Sequence, residues 1–432
     1  SMIMSLKGKN IKLMSDYSVM SLLVDDGKIA GVSALNKKTC QIELFGAKSV
    51  VFAGGGYGGV YFGHTSNPLD SVGDLLAVAL RAGLGLRDME FVQFHPTGLS
   101  GTGILISEAA RGEGGLLYNS LGERFMSKYA PEKMELASRD VVSRAITKEV
   151  MEGRGVGPNK DSVHIDLTHL GEEVINAKLP ELRDLAITFL GLDMVKEPIL
   201  IQATAHYSMG GIPTDINGKV RKNPTELTDG FYAAGECACV SVHGANRLGA
   251  NSVLEALFFG RHVGKQIVND AKNISFKDAK AEDAKTAVAE VEGLLYSKGQ
   301  ESVTKLRNEL QESMTLNAGV FRTEKSLMEQ KEILKGLRER FKNISIADKS
   351  KIFNTELQEA IELGHMLDFS MFIVEGAISR KESRGAHFRD DYTERDDENF
   401  LKHTFAYMDG DTIKLELAPV KIGKFAPQVR SY

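Results

Sequence analysis

The sequence predicts a mixed α/β fold: a doubly wound sheet domain, interrupted by an α+β insertion and followed by a helical bundle and a small α+β tail. Two apolar, strand-like runs at residues 49–53 and 231–234 each lead directly into glycines, as in doubly wound sheets whose strands bring the backbone against a ligand. A long insertion bounded by two histidine motifs separates these runs. Beyond residue 272, apolar residues recur at helical spacing.

The composition limits the classes of protein to which this chain can belong. A chain of 432 residues with 42% hydrophobic and 26% charged residues is typical of a globular protein with about two to four domains. The formal net charge of −5 gives no electrostatic reason to expect a nucleic-acid partner. No apolar run approaches the roughly 18 residues that a membrane span requires. Cys237 and Cys239 stand closer together than the usual zinc ligands, so we interpret them as buried thiols.

The first part of the chain alternates strand-like runs with tight polar turns, which predicts a β-meander. The runs lie at residues 12–24, 29–35 and 41–52. Gly54 and Gly55 follow the last run, and glycines there allow a close backbone approach to a ligand. Further along, Gly73 and Asp74 open a helix rich in alanine and leucine, where the Asp74 carboxylate complements the helix dipole.

These patterns divide the chain into four predicted parts. The sheet domain comprises residues 1–90 and 207–272, the insertion 91–206, the helical domain 273–380 and the tail 381–432. Predicted helices occupy residues 138–151 and 171–190 of the insertion, and 278–296, 301–318, 324–341 and 354–380 of the helical domain. The tail is charged at first and becomes strand-like over residues 411–417.

The stretch that begins with the second strand-like run contains the first group of candidate binding residues. The strand runs into Gly235 and Glu236, and a glycine-rich loop then leads to a helix that starts at Asn251 and Ser252. These two residues are predicted to cap the helix and to leave backbone amides for an anionic or carbonyl group. Arg247 lies in the loop. Taken alone, it would be a solvated arginine in an ordinary strand-loop-helix connection.

Three further stretches change that interpretation: QFHPTG at residues 93–98, SEAARGEGG at 107–115 and HYSMGGIPT at 206–214. With Arg139-Asp140 and the HGANRLGANS loop at 243–252, they resemble, in identity and in order, the flavoprotein subunits of succinate dehydrogenases and fumarate reductases. The resemblance extends from Lys12 to the C-terminal residues. Several motifs in one order across a chain are far more specific than any single motif.

The resemblance implies FAD as the cofactor and a capping domain in the insertion. The family's cofactor-binding positions are matched by Gly54, Gly55, Asp74, Glu236, Asn251 and Ser252. Gly54 stands where the family usually has a threonine, so a hydroxyl is lost while close backbone approach is kept. The family's G-x-G-x-x-G motif and its flavin-attaching histidine precede the segment with which this chain begins. We therefore expect an incomplete doubly wound FAD-binding domain, and a chain that by itself neither retains FAD nor oxidises succinate.

The resemblance also implies the interconversion of succinate and fumarate. The substrate-binding positions are matched by His95, Ser107, His206 and Arg247, with serine in place of the family's more usual threonine. Arg139 matches the residue that gives a proton to substrate C3 and takes it back. Glu108 and Arg111 match a relay that carries this proton between Arg139 and solvent. The implied hydride transfer takes place between substrate C2 and flavin N5. Taken alone, Glu108 and Arg111 would be a weak surface ion pair. A histidine such as His206 is expected to be partly charged near neutral pH, so that its contribution to binding grows as pH falls.

An iron-sulfur subunit is the implied electron partner, because this sequence has no cysteine cluster that could hold an iron-sulfur centre. A membrane anchor subunit and a quinone pool complete the implied complex. This places the protein peripherally on the cytoplasmic side of a bacterial inner membrane, with the periplasmic side left open. The alternatives are an L-aspartate oxidase-like flavoenzyme and a catalytically inert fragment without the pyrophosphate site. The direction of the reaction, the quinone and covalent flavin attachment also stay open.

Overall fold

The computed structural model describes residue 6 and residues 8–25, 27–61 and 63–428. Its strands are β1 (Tyr17–Asp25), β2 (Lys28–Asn36), β3 (Gln41–Gly46), β4 (Val50–Phe52), β5 (Leu86–Arg87), β6 (Val92–Leu99), β7 (Leu116–Tyr118), β8 (Val163–Asp166), β9 (Ile199–Ser208), β10 (Ile212–Pro213), β11 (Lys219–Arg221), β12 (Leu227–Ala233), β13 (Ala238–Cys239), β14 (Glu301–Ser302), β15 (Ile344–Ser345), β16 (Lys402–Asp409) and β17 (Thr412–Pro419). Its α-helices are α1 (Asp74–Arg81), α2 (Ala109–Gly112), α3 (Met126–Tyr129), α4 (Arg139–Glu149), α5 (Gly171–Lys178), α6 (Pro180–Leu190), α7 (Asn251–Asp270), α8 (Lys285–Leu295), α9 (Val303–Ala318), α10 (Glu324–Phe341), α11 (Thr355–Ser379) and α12 (Asp397–Phe400).

The predicted meander is confirmed, because β1, β2 and β3 form an antiparallel sheet in chain order. Its first strand begins at Tyr17 and not at residue 12. The physical reason is Asp16, whose φ of 65° is left-handed and interrupts an extended backbone. The last predicted run, residues 41–52, is two strands, since β4 leaves the meander and joins another sheet.

The predicted parallel strands are also confirmed. β4 lies parallel to β12, with Phe52 opposite Ala233, and β11 extends the sheet antiparallel to β12. Because parallel strands end at the same edge of a sheet, the glycines that follow them come together there. Gly55 has a φ of 78° and Gly235 a φ of 73°, and both angles lie in the left-handed region that favours glycine.

The insertion forms an antiparallel sheet in the order β6, β9, β8, β7, and α4 packs against β6 and β9. One hydrophobic core lies entirely between Leu99 and Ile201. A larger core joins the meander, α1 and the helical bundle. The helical stretch predicted over residues 171–190 is confirmed. Two helices meet at Leu179, because Pro180 has no amide to continue the first helix and suits the first position of the second.

The helical bundle follows the predicted pattern, and α10 has the predicted bounds. α11 is buried on nearly all sides and packs against α1, α9 and α10. The helix predicted over residues 278–296 is shorter, since residues 281–284 form a 3₁₀ turn before α8. In the tail, the predicted strand pairs with β16, which in turn pairs with β5. Within the described ranges, no helix is long and apolar enough to cross a membrane.

The buried guanidinium of Arg380 ties several of these elements together. It uses all its N–H donors on the carboxylates of Glu90 and Glu382, the carbonyls of Phe400 and Lys402 and the hydroxyl of Thr404. These partners lie before β6, after α11, at the end of α12 and in the first half of β16. Removing the guanidinium would leave two fully buried carboxylates short of a partner, which is strongly destabilising.

His387 is buried beside Arg380 and gives the fold a pH dependence. Arg322 donates from Nη1 to the His387 Nδ1 at 2.8 Å, and His387 donates from Nε2 to the Arg380 carbonyl at 3.1 Å. Burial, with the charges of Arg322 and Arg380, holds the pKa of His387 well below its usual range. A proton that the unfolded chain accepts below about pH 6.5 is therefore not accepted by the folded chain, so stability falls as the pH drops below that value.

We predict that His387→Gln removes this contribution. As the pH falls from about 6.5 to 5.5, the unfolding free energy of the variant should decrease by roughly 1 kcal/mol less than that of the parent. Denaturant unfolding at several pH values measures the difference. His169→Gln is the control, and it should keep the parental slope because the His169 side chain is exposed in the folded state. A parental slope in His387→Gln would contradict the assignment.

Candidate active site

The two paired strands β6 and β9 bring the histidine motifs together. The ring centroids of His95 and His206 lie 5.1 Å apart. The His95 Nδ1 accepts from the Thr97 backbone N–H at 3.2 Å, and the Ser66 hydroxyl lies 2.7 Å from the His206 Nδ1. The buried Nε2 of His95 has no hydrogen-bond partner among the described residues. Because Nδ1 of His95 is an acceptor, its Nε2 carries the hydrogen and is an unused donor.

Both histidine rings are neutral near pH 7. Burial lowers the pKa of His206 to about 3, and the charges of Arg247 and Arg139 add to the effect. Burial, together with the charge of Arg139, also holds the pKa of His95 well below its usual range. The expectation of a partly charged His206 is therefore wrong, because desolvation and neighbouring cations both disfavour the protonated ring.

The Glu108 carboxylate lies between two arginines. Its Oε1 accepts from Arg111 Nη2 at 2.9 Å, and its Oε2 accepts from Arg139 Nη2 at 3.0 Å. The pair with Arg111 is not an ordinary surface ion pair, because the Arg111 side chain is only 1% exposed. Burial opposes ionisation of Glu108, but its hydrogen bonds to the two arginines and their charges hold its pKa below the usual range. The predicted chain of contacts is thus present, and its use as a proton relay stays a prediction.

Gln93, which the sequence-based prediction missed, fixes Arg139. Arg139 is the first residue of α4, and its Nη1 donates to the Gln93 Oε1 at 3.1 Å. The Gln93 amide nitrogen donates to the Arg247 carbonyl at 2.6 Å and to the Asn246 Oδ1 at 2.7 Å. Gln93 therefore connects the two arginine-bearing segments. The signal was available, since Gln93 precedes His95 by two residues and the strand period places both on one face.

Arg247 is buried in the loop before α7 and, among the described residues, has no carboxylate partner. A cavity of about 330 Å³ opens beside it, with Glu108, Arg139, Arg384 and Arg395 also in its wall. Arg384 and Arg395 are already neutralised by ion pairs. The Arg247 charge is therefore the one among these that an anionic ligand can balance.

The remaining predicted substrate residues stand slightly apart from this cavity. His95, His206 and Ser107 are not among its lining residues. The Ser107 hydroxyl accepts from the Ala109 backbone N–H at 3.2 Å. The structure thus brings Glu108, Arg139 and Arg247 to one cavity and the two histidines to each other.

The glycine-flanked ends of β4 and β12 form a second part of the site. Glu236 approaches Gly56 so closely that an added Cβ would lie 2.2 Å from the Glu236 Oε1. That oxygen also accepts from the Ser208 backbone N–H at 2.9 Å, and burial raises the pKa of Glu236 to about 7. Gly55 and Gly235 have open space where a Cβ would point, so a bulky ligand can approach the backbone there.

Helix α7 begins beside this edge. Its N-cap is Ala250, with a left-handed φ of 62°, and no side chain caps the helix. The predicted cap at Asn251 and Ser252 is therefore wrong, because both residues already lie in the first helical turn. The Asn251 amide donates to the Leu248 carbonyl at 3.3 Å, and the following amides of that turn are left as donors for an anionic or carbonyl group.

Asp74 is the first residue of α1, as predicted, and its carboxylate lies 3.0 Å from the His365 Nδ1. A Cβ added to Gly54 would lie 2.6 Å from the Leu75 Cδ1, so α1 starts beside the loop that follows β4. A place for Asp74 near the sugar-like chain of a cofactor stays a prediction.

The two cysteines near this edge are buried thiols, as interpreted from the sequence. Burial raises the pKa of Cys237 to about 11 and that of Cys239 to about 12. In the part of the chain that the structure describes, no group of three or more His, Cys, Asp or Glu side chains is placed to hold a metal ion.

The family described as FAD binding domain matches residues 1–253, and the family described as fumarate reductase flavoprotein C-term matches residues 307–432. The succinate dehydrogenase flavoprotein subunit of Rickettsia bellii (strain RML369-C) is 44% identical over 433 residues, covering 99% of this chain and 72% of the relative. The fumarate reductase flavoprotein subunit of Escherichia coli (strain K12) is 42% identical over 445 residues, covering 99% and 73%. A solved quinol-fumarate reductase with menaquinol molecules matches with a TM-score of 0.91 and 41% identity, covering 98% of this chain and 75% of that chain.

The chain is therefore an FAD-binding flavoprotein, and the predicted cofactor is confirmed. Its open glycines, the buried Glu236 and the uncapped first turn of α7 fit the donors and acceptors that such a cofactor needs. More specifically, the chain belongs to the family of flavoprotein subunits of succinate dehydrogenase and fumarate reductase. The predicted family, fold class and enzyme class are confirmed with it.

We predict that the His206 ring does not titrate between about pH 8 and 5.5, because its pKa of about 3 lies below that window. Nitrogen NMR of protein labelled at histidine reports the charge of each ring. His206→Gln identifies the relevant signals by their loss. A His206 signal with a midpoint near the usual histidine value would contradict the neutral ring.

Proposed function

We propose that this protein interconverts succinate and fumarate with FAD as its cofactor. One observation carries the proposal: the Glu108 carboxylate is shared by Arg139 and Arg111 beside an Arg247 that has no carboxylate partner among the described residues. A four-carbon dicarboxylate needs a cation or donor at each end and a proton carrier near one carbon. The relatives named succinate dehydrogenase and fumarate reductase flavoprotein subunits support the same reaction.

In this proposal, Arg247 binds one substrate carboxylate. Its charge is permanent, and its forked guanidinium suits a bidentate contact. His95 donates a hydrogen bond from Nε2 to the other end of the substrate, and His206 and Ser107 complete the binding set. Because both rings are neutral, they contribute hydrogen bonds and leave the balance of charge to the arginines.

Arg139 holds the proton that is exchanged with the substrate carbon. Glu108 accepts hydrogen bonds from Arg139 at 3.0 Å and from Arg111 at 2.9 Å and so links the two guanidinium groups. Gln93 fixes the other edge of the Arg139 guanidinium. FAD, when bound, supplies the hydride chemistry. The chain itself contributes orientation, charge and a path for the proton.

The residues proposed to hold FAD are Gly54, Gly55, Asp74, Glu236, Asn251 and Ser252. Support comes from the open backbone at the strand ends and from the first turn of α7, which no side chain caps. We also propose that residues 91–206 act as a capping domain, since that segment has a hydrophobic core of its own.

We further propose an iron-sulfur subunit as electron partner, with a membrane anchor subunit and a quinone completing the complex. This would place the protein peripherally on the cytoplasmic side of a bacterial inner membrane. Support comes from relatives that are named as flavoprotein subunits and from the similarity to a quinol-fumarate reductase.

Arg139→Gln tests the proton carrier. In an FAD-loaded enzyme that also carries the family's G-x-G-x-x-G segment, we predict that fumarate reduction falls by at least about 100-fold while the inhibition constant of malonate, a dicarboxylate inhibitor, changes by less than about 3-fold. The reason is that the lost interaction acts mainly during proton transfer. Lys148→Gln removes a half-exposed charge from the same helix and should behave like the parent. If Arg139→Gln kept most of its turnover, another group would have to carry the proton.

Arg247→Ala tests the carboxylate site. We predict that malonate and fumarate binding weaken by about 2 to 5 kcal/mol, because the substrate charge loses its partner. The loss should be the same from about pH 7 to 8.5. His206→Gln should cause a smaller loss that is also flat over this range, since the ring is neutral throughout. Inhibition constants measured across pH decide the matter. Arg261→Ala, an exposed arginine of α7, is the control, and parental affinity in Arg247→Ala would refute the assignment.

A further inference from the structure

Tyr207 follows His206 in the second histidine motif and is not among the residues proposed to bind substrate or FAD. Its side chain is buried, and the face of its ring lies against Arg247, whose Cζ is 4.5 Å from the ring centroid. Few other contacts orient this guanidinium. Its Nη1 donates to the Leu248 carbonyl at 3.1 Å, and its buried Nε has no hydrogen-bond partner among the described residues.

The ring of Tyr207 is itself held firmly. Its hydroxyl donates to the Glu255 carboxylate, which is buried in the second turn of α7. The His243 Nε2 lies 2.8 Å from the same carboxylate, and the His243 ring meets the Tyr207 ring edge to face at 5.1 Å. Three segments therefore fix the plane of the ring: β9, the loop before α7 and α7.

A ring in this position can orient a guanidinium. The face of an aromatic ring attracts a cation, and a phenol that donates to a carboxylate gains electron density in its ring. Burial, and then the Glu255 charge, raise the pKa of Tyr207, so the hydroxyl stays a donor. A guanidinium stacked on a ring keeps its in-plane N–H groups available for a carboxylate.

We propose that Tyr207 is a positioning residue that orients Arg247 toward the substrate carboxylate and thereby sets dicarboxylate affinity, with Glu255 fixing the ring. This inference rests on the proposed function, because it assumes that Arg247 binds the substrate. It deepens that function by adding a residue that acts through Arg247.

Packing alone is the competing explanation. Tyr207 belongs to a small buried cluster with Phe91, Met209 and Ala386. A variant that merely loosens this cluster would lose turnover, FAD content and thermal stability together. A positioning residue should instead change the KM and leave the kcat nearly unchanged.

The test uses the FAD-loaded enzyme and compares Tyr207→Phe with Tyr207→Leu. Tyr207→Leu removes the aromatic face and should raise the KM for fumarate and the inhibition constant of malonate at least about 10-fold, with kcat within about 2-fold. Tyr207→Phe keeps the face and should raise both constants only about 2- to 4-fold. Tyr129→Leu is the matched control, since this tyrosine also donates to a carboxylate, that of Glu149, and should leave both constants parental.

A double-mutant cycle with Arg247→Ala completes the test. If Tyr207 acts through Arg247, Tyr207→Leu should weaken malonate binding by less than about 2-fold in the Arg247→Ala background. An undiminished effect there, or a parallel loss of kcat and FAD in Tyr207→Leu, would overturn the inference. Parental affinity in Tyr207→Leu with weakened affinity in Arg247→Ala would also overturn it and leave the proposed function standing. Parental affinity in Arg247→Ala would refute both.

Discussion

The site depends on one carboxylate held among arginines. Arg111, Arg139 and Arg247 bring three positive charges to one region, and the Glu108 carboxylate is shared by Arg111 and Arg139. Burial lowers the pKa of both Arg111 and Arg247, and the charge of Arg139 acts in the same direction. Without Glu108, this repulsion would be much larger in a partly desolvated site. The Arg247 guanidinium, which has no carboxylate partner among the described residues, is the charge of this group that an anionic ligand can balance.

The neutrality of the two histidines follows from the same field. A protonated ring would add a cation to a region that already has an excess of positive charge, and burial removes the water that could screen it. The strand pairing of β6 and β9 sets their position, and Gln93 connects this pair of strands to both Arg139 and the loop of Arg247. In this site, positive charge therefore comes from the arginines, and the neutral histidine rings can offer only directed hydrogen bonds.

Local patterns in the sequence predicted local structure well. α10 has its predicted bounds because Thr323 caps a regular apolar stripe, and the parallel strands were evident from the glycines after them. Features that depend on distant residues were not predictable in this way. The pKa of His206 depends on arginines of two other segments, and the start of α7 depends on the left-handed backbone of Ala250. The family resemblance named most site residues, but the links through Gln93 became visible only in three dimensions.

The charges of the site come from two parts of the chain. Glu108, Arg111 and Arg139 belong to the insertion, whereas Arg247 belongs to the loop before α7. The Arg247 charge joins this cluster only where the loop packs against the insertion. Under the proposed function, a substrate dianion that contacts both parts stabilises their assembled arrangement by linkage. Gln93 donates two hydrogen bonds to the loop and accepts one from Arg139, so a neutral side chain also connects the two parts.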